Sequence, residues 1–147
     1  MNIGKFLFYV KSFNKRYNQA IQAEASAHQL TLLEADVLLF LYNNPELDTA
    51  KDIASYRMLA KSGISAAVVS LMGHGLLTSF GDESDRRVIH LKLTDRSLPI
   101  AAALKEAQER FICHVNEGIT PEEKKAFSDV LKKMADNLSI RPEEEEQ

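Results

Sequence analysis

From Leu76 to Thr94 the chain carries two short apolar arms joined by a polar, charged loop, and this one stretch limits what the rest can build. The first arm ends at Phe80-Gly81. In the second, Ile89, Leu91 and Leu93 fall on one face and Val88, His90 and Lys92 on the other, the period of a half-buried strand. Between the arms lie Asp82, Glu83, Ser84 and Asp85, then Arg86 and Arg87. The stretch predicts a hairpin with two guanidinium groups at its tip, carried clear of the protein body and suited to a narrow anionic groove.

The flanking sequence reads as helix. Ile3, Phe6, Leu7, Val10, Phe13, Tyr17 and Ile21 recur every three or four residues and predict a long helix over 3–27, its aromatic surface being core or a seam with a second chain. Thr31-Leu32-Leu33-Glu34 has the capping-box form and opens a second helix through Val37, Leu38, Leu39 and Leu41. That helix should end near Asn43-Asn44-Pro45, because the residue before proline resists the helical region. Thr49-Ala50-Lys51-Asp52 repeats the capping pattern and opens a short helix to about Tyr56. After the turn residues Arg57 to Lys61, Ser62 precedes a second short helix from Gly63 to Met72, stopped by Gly73-His74-Gly75.

Beyond the hairpin, Ser97-Leu98-Pro99 predicts a Ser-capped helix running to Gly118, with Ile100, Ala103, Leu104, Ala107, Phe111 and Val115 as its stripe. Thr120-Pro121-Glu122-Glu123 unites a capping Thr, Pro at the first helical position and carboxylates in the first turn. It opens the last helix, whose apolar positions are Phe127, Val130, Leu131, Met134 and Leu138 and which Arg141-Pro142 ends. Glu143 to Glu146 is a like-charge run expected to be disordered.

A chain of 147 residues, 45% hydrophobic, suits one domain. No run approaches the roughly 20 apolar residues that span a bilayer, and an N-terminus bearing Lys5, Lys11, Lys15 and Arg16 lacks a signal-peptide layout; a cytoplasmic location is the expectation, with no membrane partner. A single cysteine, Cys113, excludes an intrachain disulfide. The net charge of −3 hides an uneven distribution: without residues 141–147 acidic and basic residues balance, and residues 51–96 hold seven basic against five acidic. That balance permits a nucleic-acid partner. His28, His74, His90 and His114 show no metal-ligand spacing, and the chain has no phosphate-cradling loop or nucleophile motif, so neither a catalytic centre, a metal nor a cofactor is expected.

Two short helices and a tight turn leading into a hairpin, set between long helices from both ends, predict a mainly α fold with a small β-hairpin wing: a winged helix-turn-helix on helical arms. In such a module the second short helix enters the major groove while the hairpin reaches toward the minor groove.

At Leu30-Thr31, Thr49 with Ile53-Ala54, Gly75-Leu76-Leu77, Asp85-Arg86-Arg87, Leu91-Lys92-Leu93-Thr94 and Thr120-Pro121-Glu122-Glu123, the chain resembles the MarR family of bacterial transcription regulators. The resemblance spans about Leu30 to Leu138 and is most specific at the Asp-Arg-Arg wing. It implies a homodimer formed by residues 1–29 and 97–140, a DNA-binding lobe over 30–96 and an acidic tail at 141–147. It also implies a palindromic operator and a small-molecule effector bound between dimer helices and lobe. Carried over by position, Asp85 matches the aspartate that steadies a wing arginine, and Arg86 and Arg87 match the wing arginines. One pairs with Asp85 while the other enters the minor groove, with Arg86 favoured as the tip.

Ser62 and Ser65 match polar recognition-helix positions, with Lys61 beside them. Ala66 and Ser70 stand where relatives frequently carry arginine, so bidentate reading of guanine is missing; Ala66 can touch a thymine methyl. Ser97 replaces a usual family glycine. Tyr9, Phe13 and Tyr17 are the candidate effector contacts. Cys113 invites a redox-sensor reading, but its place on a dimer helix favours a buried, inert thiol. The functional reading is a ligand-responsive repressor; the alternative is a winged-helix dimeric scaffold that has lost strong DNA binding.

Overall fold

A computed structural model describes residues 1–140. Six helices and one hairpin follow in the order α1 (Ile3–Ala27), α2 (Leu32–Asn43), α3 (Ala50–Arg57), α4 (Lys61–Gly73), β1 (Leu77–Gly81), β2 (Ile89–Leu93), α5 (Leu98–Val115) and α6 (Pro121–Asn137). The chain divides into two compact units, Met1–Phe111 and the residues from Ile112 on, with the boundary inside α5.

In the first unit α2 is the central element. Every residue from Ala35 to Leu41 is buried, so the helix is covered on all sides, as an all-round apolar helix must be. Thr31 and Glu34 close a reciprocal capping box at its start, satisfying two backbone N–H groups. Around it pack Ile21 and Ala25 of α1, Ile53 of α3, Ile64, Ala67, Val68 and Leu71 of α4, Leu77 and Leu91 of the hairpin and Leu104 of α5. Each leucine, isoleucine or valine among them contributes about 1.5–3 kcal/mol on burial.

Capping residues set the ends of most helices. Asn2 accepts from the Lys5 N–H at the start of α1, and Thr49 with Asp52 forms a second capping box at α3. α4 differs. It opens at Lys61 behind Ala60, with no side-chain cap, so Ser62 lies inside its first turn rather than ahead of the helix. Gly63 allows α4 to approach α2, since a β-carbon there would sit 3.3 Å from a Leu33 methyl. Beyond α4, Gly75 takes φ +70°, a left-handed conformation natural to glycine.

β1 and β2 pair antiparallel, Leu77 opposite Leu93 and Gly81 opposite Ile89. Of the strand face expected to turn inward, Leu91 is buried and Leu93 half-buried, whereas Ile89 is exposed because the hairpin has by then run past the core. Ser97 is fully buried and does not cap α5 as the sequence suggests; its hydroxyl donates to the Thr94 carbonyl at 3.0 Å and accepts from the Thr94 N–H. α5 ends at Val115, three residues short of Gly118, whose φ of +73° belongs to the turn that follows.

In the second unit, α6 starts with a capping box between Thr120 and Glu123 and Pro121 in its first turn. Phe127, Val130, Leu131, Met134 and Leu138 are all exposed in the single chain. So is Cys113, contrary to the expected buried thiol. It lies nine residues beyond the buried Leu104, half-way round the helix. Residues 141–147, which include the acidic run and the expected stop at Arg141-Pro142, lie outside the described residues. Among the described residues no helix is long and apolar enough to cross a membrane.

Candidate nucleic-acid interface

α4 turns Ile64, Ala67, Val68 and Leu71 into the core and leaves Lys61, Ser62, Ser65, Ala66 and Val69 exposed. The spacing 62, 65, 66, 69 is one stripe of a helix. Among the described residues the Ser62 and Ser65 hydroxyls make no hydrogen bond within the protein and are free to donate outward. Ser70, grouped with them from sequence, is different: it is half-buried and its hydroxyl donates to Glu34 Oε1 at 2.7 Å. The other oxygen of that carboxylate accepts from the Thr31 N–H, so Ser70 ties α4 to the cap of α2. Val69, which the sequence reading passed over, is 69% exposed in the middle of the stripe. The signal was present in its spacing from Ser62, but an apolar residue in an amphipathic helix is normally assigned inward.

The hairpin leaves from the end of α4 and is tied back to it. Thr94 Oγ1 donates to the Gly75 carbonyl at 2.8 Å, and an Arg96 guanidinium N–H donates to the His74 carbonyl at 3.0 Å. At the far end, Asp82 Oδ1 accepts from the Ser84 N–H, the Ser84 hydroxyl and the Asp85 N–H. Asp85 in turn accepts from Arg87: Oδ1 from the backbone N–H at 3.0 Å and from Nε at 3.2 Å, Oδ2 from Nη2 at 3.2 Å. The arginine holds the Asp85 carboxyl below its usual range. Arg86 is exposed and, among the described residues, forms no ion pair. The choice left open by sequence is thus made: Arg87 is the held arginine, Arg86 the free one.

A third tie joins the hairpin to the segment before α3. His90 of β2 places Nδ1 2.6 Å from Asp48 Oδ1 and Nε2 2.8 Å from Asp82 Oδ2. The Leu91 N–H donates to the Asp48 carbonyl at 2.7 Å, and Thr49 bridges to His90 through the backbone. Hydrogen bonds from Asp48 first, then Asp82, raise the imidazole pKa above its ordinary value, and the same contact with His90 drives Asp82 far below the usual carboxylate range.

Residues 28–88 match a profile of the MarR family. Over that span the chain is similar to the MarR family. Among curated proteins the chain is 22% identical over 136 residues to YdgJ of Bacillus subtilis (strain 168), an uncharacterized HTH-type transcriptional regulator, covering 92% of this chain and 80% of that one. Among solved structures it is similar to a MarR-family transcriptional regulator from Silicibacter pomeroyi, with a TM-score of 0.80, 23% identity, and 94% and 92% of the two chains covered. It is also similar to CouR of Rhodococcus jostii RHA1, solved with p-coumaroyl-CoA, with a TM-score of 0.74, 21% identity, and 88% and 91% covered. At these identities the structures show the fold, which is the MarR winged helix.

The three aromatic residues singled out on α1 do not converge on one site. Phe13 and Tyr17 both meet the Phe111 ring edge-on, at 5.3 and 5.5 Å, whereas Tyr9 is exposed, beside Phe8 and under Lys5. Tyr17 does line a small cavity of ≈ 200 Å³ whose polar lining sequence did not suggest. There Arg57 donates to the buried Asp36 at 3.1 Å, and Gln108 donates to the Tyr17 hydroxyl at 2.7 Å. Burial pushes the Asp36 carboxyl up and Arg57 pulls it back. Among the described residues no cluster of His, Cys, Asp or Glu is arranged to hold a metal ion.

Proposed function

We propose that the protein is a cytoplasmic transcription regulator, a ligand-responsive repressor that binds a palindromic operator as a homodimer. The observation that carries this is the pair of wing arginines, one held by Asp85 and one free, on a hairpin anchored to the end of a helix with an outward stripe of Ser62, Ser65, Ala66 and Val69. Lys61, Ser62, Ser65 and Ala66 would meet base edges and phosphates in the major groove, and Arg86 and Arg87 the minor-groove side. With no arginine on α4, affinity rests on the wing and on DNA shape.

The homodimer would cover the apolar residues that the single chain exposes, Ile3, Leu7, Phe8 and Val10 on α1 and the outer row of α6. It would set two recognition helices about one DNA turn, ~34 Å, apart. The effector reading rests on the polar cavity beside Tyr17 and on the similar fold of CouR, which was solved with a CoA ester. No catalytic step is assigned to the chain.

Selection of duplexes from a random pool, followed by titration of the winner at several salt concentrations, tests the reading. The expected result is a two-fold-symmetric site whose binding constant falls linearly with salt on logarithmic axes. Binding of no duplex, including DNA upstream of its own gene, would leave a dimeric winged-helix scaffold as the better description.

A further inference from the structure

The two ring nitrogens of His90 face carboxylates at 2.6 and 2.8 Å. A neutral imidazole has one N–H and one lone pair, so it satisfies one carboxylate and turns a lone pair on the other; only the cation donates to both. Asp48 belongs to the segment before α3, whereas Asp82 belongs to the hairpin turn and organises it through Ser84 and Asp85. From Asp48 a continuous chain of hydrogen bonds thus runs through His90, Asp82 and Asp85 to the guanidinium of Arg87. Phe80, paired with His90 across the strands, stacks on the imidazole at 5.1 Å and 22° and fixes its plane.

We propose that His90 is a positioning residue for the wing: by bridging Asp48 and Asp82 it fixes the hairpin to the lobe and, through Asp85, the direction of Arg87, so that loss of its proton loosens the wing and weakens DNA binding. The DNA consequence rests on the function proposed above; the clamp itself does not.

Charged groups approach His90 from more than one element. Asp48 faces it from the segment before α3 and Asp82 from the hairpin turn, while β1 offers the uncharged Phe80 ring. At the start of α3, Asp52 is turned back onto Thr49. Lys92 follows on the same face of β2, two residues on. The two carboxylates raise the imidazole pKa. A group with a raised folded pKa stabilises fully below its unfolded value, about 6.5, and loses that contribution as pH rises through the folded value. Asp82 is lowered and stays ionised well into acid, so the clamp is closed below the ordinary imidazole value and opens as pH rises through the raised one.

Two arms test this. In the protein alone, nitrogen NMR of His90 should show both ring nitrogens protonated at pH 6 and an apparent pKa above 6.5, lowered in Asp48→Asn, with protection factors of amides 82–88 dropping as His90 deprotonates. In DNA titrations from pH 6 to 9, wild-type affinity should weaken at least about fivefold, the low end of ordinary coupling between sites. His74→Gln, which removes the histidine at the end of α4, should keep that profile, and His90→Gln should flatten it while retaining the wild-type unfolding temperature within a few degrees. An ordinary or lowered His90 pKa, wing amides indifferent to its titration, or an unchanged profile in His90→Gln would each overturn the proposal. If wild type binds no duplex at any pH, the functional reading fails and the NMR arm alone decides the clamp; Asp82→Asn serves there if His90→Gln does not fold.

Discussion

Asp85 grips Arg87 through both carboxylate oxygens, and Arg86, between them in sequence, is left without an ion pair among the described residues. An arginine held in this way gives up little further freedom on binding, whereas the free one must be ordered as it binds. Arg86→Ala and Arg87→Ala are each expected to reduce the salt slope of DNA binding by about one unit. Asp85→Asn should keep the slope, because both cations remain, yet narrow the gap between selected and random duplexes. Fluorescence anisotropy at four salt concentrations separates the two patterns.

Ser70 spends its hydroxyl on Glu34. Ser70→Ala should therefore lower unfolding stability by about 1–2 kcal/mol, the cost of leaving a half-buried carboxylate oxygen short of a donor, with DNA affinity within twofold of wild type. Urea denaturation and the same titration check both halves. A large loss of binding at unchanged stability would put Ser70 in the DNA contact after all.

Arg57 compensates the buried Asp36. Removing it in Arg57→Met is expected to cost about 1–3 kcal/mol at pH 7, a discounted figure since the guanidinium is partly exposed. With its folded pKa raised further, Asp36 opposes folding increasingly as pH climbs from the unfolded value near 3.9 to the folded one. The deficit should therefore be smaller at pH 4 than at pH 7, as thermal melts at the two pH values would show.

On α6, Phe127 and Leu131 lie one turn apart and are both exposed in the single chain. The pair Phe127→Asp and Leu131→Asp should halve the mass seen by sedimentation while leaving helix content by circular dichroism unchanged. Deleting α1 is a poorer test of the dimer, because Ile21 and Ala25 would be torn from the core.

Helices α2, α3 and α6 were legible because each begins with a four-residue stretch that closes a capping box, a strictly local device. The hairpin was legible from its alternation. α4 was blurred at its start because nothing but backbone caps it. The wing pairing of Asp85 with Arg87 rather than Arg86 turns on the fold of the seven-residue loop 82–88, which composition does not specify. Long-range partners were invisible: Asp48 lies 42 residues from His90, Glu34 lies 36 from Ser70, and Gln108 lies 91 from Tyr17. Each of those residues alone reads as an ordinary polar group, and only the packing of elements distant in sequence brings the pairs together.

The short contact of residues 48 and 49 with β2 bears on what keeps the hairpin in place. A two-stranded ribbon is marginal in water by itself, and here the third edge is supplied by two residues that precede α3 rather than by a neighbouring strand. Those residues are held between the end of α2 and the capping box that opens α3. The ribbon thus borrows its third edge from the segment before α3, and a change that shifts that segment should loosen the hairpin while leaving the helical core intact.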